Sequence, residues 1–108
     1  MKTEEGRLKD RVKLYLKQLG AYYHMSVPVG YGRPTVDFVC CIPQHHNGGI
    51  VGRFVAIETK AKGGKPTANQ KRVLEEVNAA GGVGFYCDSF ESFLLTMATH
   101  GLTSPVLK

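Results

Sequence analysis

The sequence of 108 residues predicts one α/β domain, with helices packed on a central mixed sheet. Two observations lead to this prediction. Apolar residues recur at helical spacing in three segments, and β-branched apolar runs lie between those segments. The resulting order is helix, short strand, two longer strands, helix, strand and helix, with a loose tail expected over about 102–108. The helices are expected at 4–19, 67–80 and from about 90 to Gly101, and the strands at 21–27, 36–42, 53–60 and 83–87.

The composition favours a globular protein with an anionic partner. Hydrophobic residues make up 43% and charged residues 21%, and no apolar run approaches the roughly 18 residues of a membrane span. No apolar signal segment is visible, and the three cysteines do not form a disulfide framework. We therefore expect no membrane contact and a reducing, cytoplasmic setting, with the cysteines as buried small hydrophobes. The net charge of +5 makes nucleic acid the leading candidate partner.

The first helix carries an acidic residue close to its apolar stripe. Glu5 lies nearer the centre of that stripe than Glu4, at about 100° per residue. A carboxylate in the first turn is also favoured by the helix dipole alone, so both interpretations stay open. Lys9 and the other cations of this helix are expected on the opposite side. The apolar stripe consists of Leu8, Val12, Tyr15, Leu16 and Leu19.

A loop rich in glycine and proline follows the first short strand. Tyr31 and Arg33 in this loop could stack on a base and contact a phosphate, or could simply anchor the loop. The next strand, 36–42, carries the single acid Asp37 and is expected to end at Pro43. The connection 44–52 is expected to be a polar, hairpin-like loop, although its two histidines, His45 and His46, could instead ligate a metal.

The strand 53–60 ends with two charges on one face, Glu58 and Lys60. In isolation they could be a surface ion pair at a solvated strand end. A basic loop with Lys62 and Lys65 follows. Thr67 and Gln70 then match a capping box, and Gln70 also lies near the apolar stripe of its helix, so it could serve either purpose.

The two acidic strands are predicted to bring their carboxylates together. In an antiparallel pair the start of one strand lies opposite the end of the next, which places Asp37 beside Glu58. Two adjacent carboxylates repel each other unless a divalent cation sits between them. Mg²⁺ takes oxygen ligands and keeps several waters, which suits Asp37, Glu58 and the backbone carbonyl of Thr59. Lys60 could then orient a metal-bound water for attack on a phosphodiester.

These residues resemble the PD-(D/E)xK nuclease superfamily, and specifically its VRR-NUC branch in the stand-alone, phage-type form. Asp37 is followed, after twenty intervening residues, by Glu58-Thr59-Lys60. The resemblance covers about residues 4–90. It rests on five pieces in order: Glu5-Gly6, Gly32 to Phe38, Gly52 to Lys60, Pro66 to Gln70, and the Ala80-Gly81-Gly82 turn.

The resemblance implies an αβββαβ core and a metal-dependent endodeoxyribonuclease. Asp37 and Glu58 would hold Mg²⁺ or Mn²⁺, Lys60 would position the water, and Glu5 (through a water) and Gln70 would complete the site. The sequence departs from the family pattern in two places. Residues 35 and 36 separate Pro34 from Asp37, and the connection 44–52 is longer than usual.

Stand-alone members of this branch resemble Holliday junction resolvases in forming homodimers, so the resemblance implies a homodimer acting on branched or junction DNA. A two-fold dimer would present two sites to the paired strands of a junction. Lys62, Lys65 and Lys71 are the expected phosphate contacts, and such contacts are independent of sequence. Two alternatives stay open: a DNA-binding subunit that does not cut, and a nuclease with flap or sequence preference.

Overall fold

A computed structural model of the protein describes residues 2–26 and 36–103. The strands form one sheet in the order β1-β2-β3-β4, antiparallel between the first three and parallel between β3 and β4. The predicted mixed sheet with flanking helices and an αβββαβ core is confirmed. The elements are α1 (Glu4–Gln18), β1 (Tyr22–Met25), β2 (Phe38–His46), β3 (Gly49–Thr59), α2 (Ala68–Ala79), β4 (Val83–Cys87) and α3 (Phe90–Thr99).

Each helix begins at a side chain that caps it. Thr3 and Ser89 accept backbone N–H bonds at the starts of α1 and α3. Thr67 and Gln70 form the predicted capping box at the start of α2. Beyond the end of α2, Gly81 takes a φ of 96°, a conformation that a glycine adopts without steric cost.

The sheet is covered on both faces, and this fixes which way each strand residue points. On one face, Val55 and Ile57 of β3 pack in the main core under α1 and α3. On the other face, Ala56 packs against Leu74 of α2 in a smaller cluster. Alternate residues of β3 therefore point to opposite helical layers, and Glu58 shares the α2 face with Ala56.

The connection between β2 and β3 is shorter than the hairpin-like loop predicted over 44–52. The two strands continue as one long hairpin, paired from Phe38 with Ile57 to His46 with Gly49. Asn47 and Gly48 form its tight turn, with φ values of 49° and 80°. Pro43 does not end β2. The pairing with β1 begins with Tyr22 opposite Cys41, so among residues 2–26 and 36–103 no strand pairs with Pro43 on that side, and proline is tolerated at such an edge.

Two smaller predictions are also corrected. Leu102 is fully buried in the main core, so the chain is still packed at the point where a loose tail was expected to begin. Residues 104–108 lie outside the described residues. Cys40 and Cys87 are buried as expected, but Cys41 is exposed. No helix within residues 2–26 and 36–103 has the length and apolar composition needed to cross a membrane.

Candidate active site

Pairing of β2 with β3 brings Asp37 and Glu58 together. Phe38 lies opposite Ile57, so one step further along the ladder Asp37 meets Glu58. There the Asp37 N–H donates to Glu58 Oε1 over 3.0 Å. The Asp37 carboxylate is held in turn by Thr59, whose N–H and hydroxyl donate to Oδ2 over 2.9 and 2.5 Å. The two acids are thus fixed side by side at the end of the β2–β3 ladder.

Glu58 is a buried acid with two side-chain partners. Its exposed fraction is 2%, and its Oε2 lies 3.0 Å from Lys60 Nζ and 2.9 Å from Gln70 Nε2. This excludes the surface ion pair at a solvated strand end, because a buried charge of this kind needs its partners. Burial, followed by the charge of Asp37, raises the pKa of Glu58, although Lys60 and the Asp37 N–H act in the opposite direction.

Gln70 serves both purposes that the sequence left open. Its backbone N–H donates to Thr67 Oγ1, and its side-chain Oε1 accepts from the Thr67 N–H over 2.9 Å. The same side-chain amide donates from Nε2 to Glu58. The capping box therefore fixes one end of the amide, and the other end orients the buried carboxylate.

Lys9 is a residue of this region that the sequence analysis placed on the opposite side. Its Nζ lies 3.4 Å from Asp37 Oδ1 and 3.5 Å from Glu5 Oε2, so it bridges the two acids. Burial lowers the pKa of Lys9, but the charges of Asp37 and Glu5 outweigh that effect, and the net pKa is raised. The signal available in the sequence was the i, i+4 spacing of Glu5 and Lys9, which places both on one face of α1.

Few protein groups in this region are suited to a divalent cation. Among the described residues no group of three or more His, Cys, Asp or Glu side chains is arranged to hold a metal ion. Asp37 and Glu58 nevertheless offer hard oxygen donors at the same point. The N–H and C=O of an extended residue point the same way, so the Thr59 carbonyl faces Asp37 as its N–H does. Two carboxylates and one carbonyl fit Mg²⁺, which keeps several waters.

Three of the five predicted DNA-contacting residues lie within the described residues. Lys62, Lys65 and Lys71 are all exposed, the first two in the loop after β3 and the third on α2. The loop is held to α1 by the Lys62 N–H, which donates to Glu4 Oε1 over 3.0 Å. Tyr31 and Arg33 lie outside the described residues.

The two histidines of the β2–β3 hairpin lie away from the acidic pair. His45 and His46 are exposed at the end of β2 furthest from Asp37, opposite Ile50 and Gly49. The distance along the strand separates them from the site, and within the described residues they join no metal-binding group.

A mixed four-stranded sheet that presents Asp37, Glu58 and Lys60 at one end has the architecture that the resemblance to PD-(D/E)xK proteins implies. A search of solved structures matches this chain to one described as a "VRR_NUC domain", with a TM-score of 0.71 and 23% identity over 93% of this chain and 99% of that one. The chain therefore has the VRR_NUC fold predicted from its sequence. No protein-family model matches the sequence, and no curated protein does.

Proposed function

We propose that the protein is a metal-dependent, structure-selective DNA endonuclease of the VRR-NUC type. One observation carries the proposal: the buried Glu58 lies within hydrogen-bond distance of Asp37, Lys60 and Gln70, in a chain with the VRR_NUC fold. A buried carboxylate with a raised pKa, beside a second acid and an amine, is typical of a catalytic site.

Asp37, Glu58 and the Thr59 carbonyl are the residues that would hold Mg²⁺ or Mn²⁺. When bound, the ion would neutralise charge on the phosphate and lower the pKa of a bound water. Thr59 fixes the Asp37 carboxylate through two hydrogen bonds, and Gln70 fixes that of Glu58. These bonds orient both acids before any ligand binds, and such preorganisation is the main source of electrostatic catalysis.

Lys60 is the residue proposed to position the attacking water. Its Nζ is 3.0 Å from Glu58, and its side chain is 17% exposed, so the amine lies at the boundary between the buried acid and solvent. From that position it can hold a water by a hydrogen bond and place a positive charge near the scissile phosphate. Glu5 is linked to Asp37 through Lys9, whose ammonium group lies close to both carboxylates.

Incubation with DNA in the presence of Mn²⁺ or Mg²⁺ tests the proposal. The substrates are a four-way junction, a flap, a nicked duplex and a linear duplex of equal length. We expect incision of branched DNA, and we expect Lys60→Met to lower its rate at least about a hundredfold while leaving binding nearly unchanged. Lys17→Met, an exposed lysine in the last turn of α1, is the matched control and should cut like the wild type. Equal cutting by Lys60→Met would refute the site.

The substrate is proposed to be branched or four-way junction DNA, cut by a homodimer. The net charge of +5 and the exposed Lys62, Lys65 and Lys71 support contacts to phosphates rather than to bases. Ile50 and Val51, 69% and 51% exposed at the tip of the hairpin, provide apolar surface suited to a second copy. Light scattering of the wild type and of Ile50→Lys tests the dimer. A wild type that remains monomeric at micromolar concentration would contradict it.

A DNA-binding subunit that does not cut is the second candidate, and one observation favours it. All four carboxylate oxygens of the pair already have partners within the fold: Lys9, Thr59, the Asp37 N–H, Lys60 and Gln70. Such a site is stable without a metal. Binding of junction DNA with no incision in either metal would favour this candidate over the nuclease.

A further inference from the structure

A cavity of about 470 Å³ lies between β4, the start of α2 and the basic loop before it. Its volume is in the range of sites for small organic molecules. It is distinct from the acidic pair, and the metal chemistry does not use it. Its lining includes Lys65, Pro66, Lys71, Leu74, Glu75 and Tyr86.

The register of the sheet places this cavity next to Glu58. In the parallel ladder of β3 with β4, Tyr86 is the partner of Glu58, so both side chains lie on the α2 face of adjacent strands. At Gly84, two residues before Tyr86 and on the same face, α2 packs directly on β4. A Cβ on Gly84 would lie only 2.6 Å from the Leu74 carbonyl oxygen. Contact at Gly84 therefore closes one end of the cavity, and Tyr86 forms its wall on the side of the active site.

The lining combines groups that suit different parts of a nucleotide. Leu74 and Pro66 provide apolar surface, and Tyr86, 38% exposed on an edge strand, offers a ring for stacking. Lys65 and Lys71 are cations, and neither takes part in an ion pair among the described residues. Glu75 adds one acceptor, which can pair with the exocyclic amine of a base.

We propose that this cavity binds one unpaired nucleotide of the DNA strand next to the scissile phosphate, with its base against Tyr86 and its phosphate between Lys65 and Lys71. An inorganic anion would leave the apolar wall formed by Leu74 and Pro66 unused. A base inside a duplex is already stacked on its neighbours and cannot enter. The cavity thereby selects DNA in which a nucleotide at the branch point is unstacked. The inference rests on the proposed function for its DNA substrate.

Binding of DNA that contains 2-aminopurine tests the inference without cleavage. The fluorescent base is placed either as an unpaired nucleotide at a branch point or within a duplex of equal length, and EDTA removes divalent ions. We expect quenching on binding for the unpaired base alone, because stacking on tyrosine quenches it. Tyr86→Leu should lose the quenching and bind the branched DNA about tenfold more weakly, with no change for the duplex.

Three variants separate stacking from charge and from general effects. Tyr86→Phe keeps an aromatic ring and should restore quenching and affinity. Lys71→Gln should weaken binding to both DNAs and reduce the salt dependence of binding. Tyr22→Leu changes a tyrosine that is 77% exposed on the opposite edge strand, β1, and should behave as the wild type.

The outcomes distinguish this inference from the proposed function. Equal quenching and affinity for the wild type and Tyr86→Leu would overturn the nucleotide site, even if the wild type cuts DNA. Quenching that depends on Tyr86, in a protein that cuts no DNA with Mn²⁺, would support the nucleotide site and refute the nuclease. Absence of binding to either DNA would overturn the inference.

Discussion

The two halves of β3 reverse the usual relation between polarity and burial. The half near the hairpin tip exposes apolar side chains, with Ile50 at 69%, Val51 at 51% and Phe54 at 50%. The half near the site, Val55–Thr59, is buried throughout and contains the charged Glu58. Eleven consecutive residues of one strand thus provide an exposed apolar surface and a buried charge.

The difference shows how packing on two faces makes the site possible. At the site end, helices cover both faces of β3, so the carboxylate of Glu58 is desolvated and depends on Lys60 and Gln70. At the hairpin end, Ile50 and Val51 have few neighbours. Exposed apolar groups of this kind contribute little to the stability of one chain and are suited to an interface. Stability and binding surface are therefore separated along a single strand.

The largest effect is expected from truncating the same residue type in each half. Ile57 is fully buried and Ile50 is 69% exposed. We expect Ile57→Ala to lower the free energy of unfolding by about 2–5 kcal/mol, because it leaves a cavity in the main core. Ile50→Ala should change the free energy of unfolding of the monomer by less than about 0.5 kcal/mol. Urea unfolding of the two variants measures the difference, and similar losses would contradict the contrast between the halves.

Replacing the buried acid should raise stability while removing activity. The pKa of Glu58 is raised in the folded state, so the folded protein holds its proton to higher pH than the unfolded chain does. Stability therefore falls as pH rises from the ordinary glutamate value of 4.5 to the raised value, and stays lower above it. Glu58→Gln removes this loss. We expect a higher melting temperature than the wild type at pH 7 in EDTA, and no difference at pH 3.

A matched variant isolates the effect of burial. Glu76 is an exposed acid of α2 that pairs with Arg72, and its side chain is 59% exposed. Glu76→Gln should leave the melting temperature nearly unchanged at both pH values. A Glu58→Gln protein that is less stable than the wild type at pH 7 would show that the contacts to Lys60 and Gln70 outweigh the cost of burial.

Removal of two helix caps should separate stability from positioning at the site. Thr67→Ala and Ser89→Ala each remove an N-cap, and each should lower the free energy of unfolding by about 1 kcal/mol. The Thr67 hydroxyl also accepts from the backbone N–H of Gln70, so its removal loosens the backbone of the residue that donates to Glu58. Cleavage assays should therefore show a slower rate for Thr67→Ala alone. Equal rates in the two variants would mean that the cap does not position the site.

The smallest effect is expected at Lys9. Its ammonium group bridges Asp37 and Glu5, where it competes with a cation for the Asp37 carboxylate. Lys9→Met should bind Mn²⁺ about fivefold more tightly, because removing one nearby charge at a partly exposed site changes the interaction by about 1 kcal/mol. Titration calorimetry measures this change. Lys13→Met, a lysine one turn further along α1, is the control. Weaker Mn²⁺ binding by Lys9→Met would show that Lys9 supports the site.

Sequence patterns predicted those features of the fold that follow from residue spacing or from the direction of neighbouring strands. The capping box at Thr67, the stop at Gly81 and the pairing of Asp37 with Glu58 each follow from spacing or strand direction. The hairpin was predicted with strands that are too short, because Pro43 was read as a terminator. Proline is tolerated there since β1 is shorter than β2, which only the assembled sheet shows. The two residues Asn47-Gly48 carried the missed turn signal.

The site was less accessible to sequence reasoning where contacts join distant elements. Lys9 was assigned to solvent from the helix period alone, yet it reaches Asp37, a residue on another element. Likewise, the cavity at Tyr86 depends on the close contact between Gly84 and Leu74, which no spacing in the sequence indicates. Predictions that assign each residue to one face of its helix or strand therefore miss contacts made by long side chains that reach another element.

The central claim is that Asp37, Glu58 and the Thr59 carbonyl form a divalent cation site at the buried end of β3. Anomalous diffraction from crystals soaked in MnCl₂ tests it most directly. We expect one Mn²⁺ peak in direct contact with both carboxylates and the carbonyl, and its loss in Asp37→Asn. A peak at His45 and His46 instead, or none beside Glu58, would contradict it.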